Sequence, residues 1–163
     1  MAASTRISFE SVVDRLMDFD PDMMVDQPTT PREQINRIRE SVRRDIESLL
    51  NSQQWPHSIE KELEELETSL LRFGTPGFHG LMLATTQQRL YLAEAIRKVI
   101  VAFDPRLARV RVGLGKARGD QDRVLDLRIE AEMLLPDGVE PIVFDTSLDP
   151  STRHFLIGGP HHG

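Results

Sequence analysis

From Val124 to Leu135 the chain alternates with a period of two. Leu125, Leu127, Ile129, Ala131 and Met133 fall on one side, and Asp126, Arg128, Glu130 and Glu132 on the other. Successive side chains of a strand point to opposite faces, so this stretch reads as a half-buried antiparallel strand with one dry face. A dry face needs a cover, and that requirement constrains the rest of the sequence. Leu107 to Leu114 alternates similarly, and Ile142-Val143-Phe144-Asp145 reads as a third, short strand. Gly115 to Asp120 and Pro136-Asp137-Gly138 supply turns between them.

The cover lies upstream, where the apolar period lengthens to that of a helix. Thr30-Pro31-Arg32-Glu33 has the form of a capping box with proline in the first helical position. Ile35, Ile38, Val42, Ile46, Leu49 and Leu50 then make one apolar stripe, and Asn51 is a tolerant stop. A second helix is expected from Ser58 to Phe73, where Ile59, Leu63, Leu66, Leu70 and Phe73 form a short heptad-like seam ended by Gly74 and Pro76. A third is expected from Thr86 to Phe103, with Leu92, Ile96, Val99 and Phe103 as its stripe and Pro105 forcing its end. Ser8 to Phe19 reads as a further short helix, joined by the Pro-containing linker from Asp20 to Pro31. Helices first and a meander after them define an α+β domain, with about three to four helices on one face of a small, mostly antiparallel sheet. The expected organisation is an N-terminal arm over 1–31, the α+β domain over 32–150, and a flexible Gly/His-rich tail over 151–163.

Composition removes several function classes. At 163 residues, 39% hydrophobic and 28% charged, the chain suits one globular domain. It has no cysteine, hence no disulfide framework and no thiolate zinc site. A net charge of −6 argues against nucleic acid as the main partner, because phosphate binding needs a basic surface. The opening Met1 to Arg6 lacks the apolar core of a secretory signal, and no apolar stretch is long enough to span a bilayer.

No catalytic motif stands out. Gly113-Leu114-Gly115 leads into another strand, so a phosphate-cradle reading fails on context. His57, His79, His154, His161 and His162 show no helical metal spacing, and the acidic run Glu60 to Glu67 reads as a solvated helix face. No metal, cofactor or catalytic residue is expected. The junction Phe103-Asp104-Pro105-Arg106-Leu107 is more informative. Pro105 fixes the backbone there, and Arg106 offers a planar fork of donors. The pair Asp104 and Arg106 reads equally as a partner-binding corner or as a local ion pair capping the helix.

Four stretches, in order, resemble the TssE-like baseplate subunits of bacterial type VI secretion systems, relatives of a phage baseplate-wedge protein once described as a lysozyme. They are Ser11 to Leu16, Ser41 to Asn51, Ser69 to Phe78, and Ile96 to Ile100 with Phe103 to Leu107. Asp104 stands where that family has Glu, Gly77 stands where Asp is usual, and the Gly/His tail has no counterpart. The resemblance implies a non-enzymatic, cytoplasmic wedge subunit in a membrane-docked baseplate. It implies TssF-like, TssG-like and TssK-like neighbours and a role in starting assembly of a TssB/TssC-like sheath, with no nucleic acid and no membrane insertion. The implied partner-binding residues are Asp104, Pro105 and Arg106, with Asp14, Arg15 and Leu16 in the arm. The alternatives are a peptidoglycan-degrading lysozyme-like enzyme and a regulatory adaptor of the same fold. On the wedge reading, Arg106→Ala is expected to leave the fold intact and weaken assembly.

Overall fold

The capping box at Thr30 forms as the sequence requires. The Glu33 amide donates to the Thr30 hydroxyl, and the Thr30 amide donates to the Glu33 carboxylate at 2.8 Å. Helix α1, Pro31–Asn51, follows in the computed structural model. The structure describes residues 30–56, 65–66, 69–77, 85–115, 124–149 and 151–159. Helix α2, Thr86–Phe103, starts on a second capping box, between Thr85 and Gln88. Four strands follow: β1 Leu107–Leu114, β2 Leu125–Leu135, β3 Gly138–Asp149 and β4 His154–Ile157. They form one antiparallel sheet in the order β1-β2-β3-β4.

Among the described residues, then, two α-helices pack on a four-stranded antiparallel sheet. Helix α2 lies against β1 and α1 against β4. Val42, Ile46 and Leu50 of α1, with Leu92, Ile96 and Ile100 of α2, meet Leu127, Ile129, Met133, Ile142 and Phe144 in one core. These are the apolar stripes and the dry strand face expected from sequence. Helix geometry brings residues three and four apart onto one side, and the strand's period of two does the rest.

Three expectations need correcting. The helix ending at Phe73 does not hold in its described part, where Leu70–Arg72 is a single 3-10 turn behind an extended Ser69. The Ser69 hydroxyl donates to the Leu66 carbonyl at 2.7 Å and accepts from the Leu71 amide, a local alternative to continued helix. Leu70, assigned to the seam, is 86% exposed. Secondly, the short third strand is much longer, running from Gly138 past Pro141. The Gly158 amide donates to the Asp145 carbonyl. By the two-residue parity of a strand, Pro141 therefore turns its nitrogen away from β2, beyond the end of β4, where no ladder bond is lost. Thirdly, part of the predicted tail is β4, with Phe155 and Ile157 buried. The expected helix at 8–19, its linker as far as residue 29, residues 58–64, 67 and 68 of the second expected helix, the turn residues 116–120 and the end of the tail from 160 lie outside the described residues.

Candidate functional site: the Asp104–Arg106 corner and the sheet edges

Helix α2 stops at Asp104, whose amide still reaches the Ile100 carbonyl at 2.9 Å. Pro105 follows, exposed, and the chain turns into β1, with the Leu107 amide donating to the Asp104 carbonyl. Within this turn the Arg106 side chain folds back. Its Nε donates to Asp104 Oδ1 at 2.9 Å and its Nη2 to Asp104 Oδ2 at 2.7 Å, a bidentate fork. The Arg106 amide also donates to Asp104 Oδ1 at 3.1 Å. Nη2 makes a further bond of 2.7 Å to Oδ2 of Asp45, in the middle of α1.

The corner thus ties α1, the end of α2 and the start of β1 together. Exposure ranks its members: the side chains of Asp104, Arg106 and Asp45 are 6%, 16% and 42% exposed. Burial pulls the Arg106 pKa down. Hydrogen bonding and charge from Asp104, then from Asp45, outweigh that, and the guanidinium is held above the ordinary arginine range. Arg106 Nη1 is buried and has no hydrogen-bond partner among the described residues. Nearby, Phe73 meets Phe103 edge to face, ring centroids 5.5 Å apart.

The local-ion-pair reading of Asp104 and Arg106 therefore describes the geometry within this chain, and Pro105 is the member that faces outward. Asp14, Arg15 and Leu16 lie outside the described residues. Sequence reasoning missed Asp45. Its signal was a charge on the apolar stripe of α1, between Val42 and Leu49. It also missed Arg39, only 4% exposed on the same helix and paired with Glu140 at the start of β3.

Strand β1 is one edge of the sheet. The Gly115 amide donates to the Asp126 carbonyl at 2.8 Å, which fixes the alternation of ladder bonds along the strand. Val112 and Leu114 then turn their amides and carbonyls away from β2. No described residue bonds those groups. The register slips between Ala108 and Arg111, where Arg109 takes a φ of 50° in a β-bulge. Among the described residues, no group of His, Asp and Glu side chains could hold a metal ion, and no helix is long and apolar enough to cross a membrane.

Among the described residues the corner is locked by internal ion pairs, beside a strand edge whose outward groups are unbonded, and no metal cluster stands near either. Residues 36–136 match the family model of the baseplate wedge protein gp25, which covers more than half of the chain, and the chain belongs to that family of structural proteins. The match spans α1, α2, β1 and β2 and stops before β3. No curated protein and no solved structure matches the chain.

Proposed function

We propose that this wedge protein serves a type VI secretion baseplate, joining the wedge to the contractile sheath and helping sheath assembly begin. The observation that carries the reading is the β1 edge, where no described residue bonds the outward amides and carbonyls of Val112 and Leu114. An unpaired edge offers main-chain hydrogen bonds to an incoming strand, in a register that its own donors and acceptors dictate. Sheath subunits of the TssB/TssC-like kind would supply that strand. TssF-like, TssG-like and TssK-like subunits would hold the other surfaces, in a cytoplasmic assembly docked on a membrane. In this reading Pro105 is the outward contact of the corner, Asp104 and Arg106 keep it rigid, and the arm residues Asp14, Arg15 and Leu16 add a second contact. A peptidoglycan hydrolase has less support, since the family that the chain matches is one of structural wedge proteins.

The test is Val112→Pro. Proline removes an amide that faces away from β2, so the ladder within the sheet keeps its bonds while the incoming strand loses a donor. The expected outcome is a folded protein that still co-purifies with TssF-like and TssG-like subunits and no longer nucleates sheath. Normal sheath assembly by the folded variant would refute the edge role.

A further inference from the structure

The opposite edge of the sheet is built differently. Because the Gly158 amide donates to Asp145, the residues of β4 that turn their backbone away from β3 are Phe155 and Ile157. At an ordinary edge those groups meet water or a visiting strand. Here α1 supplies partners for all of them. The Phe155 amide donates to Asn51 Oδ1 at 2.8 Å, and Asn51 Nδ2 donates to the Phe155 carbonyl at 3.0 Å. The Ile157 amide donates to Glu47 Oε1 at 3.5 Å, and Arg43 Nη1 donates to the Ile157 carbonyl at 3.3 Å. Arg43 Nη1 also bonds Glu47 Oε2 at 2.7 Å, which holds the pair in place.

The spacing explains why a helix can do this. Four residues of α-helix rise about 6 Å. Two residues of strand advance about 6.6–6.8 Å. Residues 51, 47 and 43 therefore step along α1 nearly in register with residues 155 and 157, in the opposite direction. The side-chain amide of Asn51 carries one acceptor and one donor, as a peptide group does. It pairs with Phe155 as a strand residue would.

We infer that Asn51, with Glu47 and Arg43, is a surrogate strand that closes the β4 edge against strand addition by a second copy of this chain or by any other extended segment. Among the described residues the sheet is then one-sided, unpaired along β1 and terminated along β4. Strand β4 lies beyond the family match, whereas Arg43, Glu47 and Asn51 lie within it. The closure does not depend on which partner β1 receives.

Amide exchange in the unmodified protein gives the first test. The Phe155 and Ile157 amides should exchange about tenfold or more slowly than those of Val112 and Leu114, since one net hydrogen bond is worth roughly that factor. Comparable fast exchange at both edges would overturn the inference. The second test is Asn51→Ala combined with Glu47→Ala, with folding checked by circular dichroism. Protection at Phe155 and Ile157 should fall about tenfold. Sedimentation should show self-association absent from the unmodified protein at the same concentration, the signature of an opened edge. Unchanged exchange would show that these side chains do not hold the edge, and lost protection with no added self-association would show that they do not guard it against strand addition.

Discussion

Replacing Arg106 by alanine should cost this domain about 3 kcal/mol, because a buried carboxylate would lose the fork that neutralises it. The Asp104 side chain is 6% exposed and takes bonds of 2.9 and 2.7 Å from the guanidinium. Breaking a buried ion pair by deleting one partner costs about 3–5 kcal/mol. The lower end applies, since Arg106 retains 16% exposure. Asp45 adds little, being 42% exposed and open to solvent screening. For a domain of this size the melting temperature should fall by roughly 6–12 °C. The structure thus revises the sequence-based expectation that Arg106→Ala spares the fold, and a loss of wedge binding in that variant has to be corrected for stability first. Arg106→Lys keeps a charge but not the fork, and should cost about 1–2 kcal/mol. Urea unfolding of Arg106→Ala, Asp104→Asn, Asp45→Asn and the two doubles gives the coupling energies directly. A loss below about 1 kcal/mol, or stronger coupling to Asp45 than to Asp104, would refute the reasoning.

Two further outcomes follow from backbone geometry and capping. Gly74 has a φ of 105°, and a Cβ there would sit 2.4 Å from the Ser52 carbonyl oxygen. Gly74→Ala should therefore lose about 2–3 kcal/mol in urea unfolding and loosen the bridge between Gln53 and Thr75. The Glu33 carboxyl is held below its ordinary range, first by the Thr30 amide and then by its hydroxyl. A lowered folded-state pKa stabilises above the unfolded value, and the gain disappears as pH falls through the folded one. Glu33→Gln can keep the box but cannot titrate, so its stability should decline less than wild type between about pH 5 and pH 3. Identical acid slopes would count against the capping-box contribution.

How much of this was legible depended on whether the information was local. The Thr30 box, the end of α2 before Pro105, and the limits of β1 are local steric or hydrogen-bonding facts, and sequence and structure agree on them. Strand β4 was not legible. His154-Phe155-Leu156-Ile157 is four residues beside a Gly/Pro tail, and its strand state comes from the β3 edge and the α1 side chains more than a hundred positions away. Pro141 hid the length of β3, because a proline reads as a break until the parity of the ladder is known. Periodicity misled at Leu70, where serine bonds to nearby backbone outcompeted the helix. At the corner, Pro105 pointed to Asp104 and Arg106, but Asp45 is 61 positions from its partner. Only the stripe of α1, interrupted by a charge, hinted at it.

The two edges together limit how strongly a single copy can hold a partner strand. The bulge at Arg109 interrupts β1, so the regular run that can be paired includes Val112 and Leu114. Each offers one amide and one carbonyl, four groups in all, and at about 0.5–1.5 kcal/mol net per bond they supply roughly 2–6 kcal/mol. Association costs at least about 4 kcal/mol in lost freedom before any side chain is ordered. Main-chain pairing at this edge therefore sets register and direction, while holding power has to come from elsewhere. If several copies engaged one assembly, each later pairing would be effectively intramolecular. A weak edge would then be an advantage, because an isolated copy would not capture strands and an assembly of copies would. Closure of the β4 edge would serve the same end, since a second open edge would let free copies pair with one another before any assembly forms.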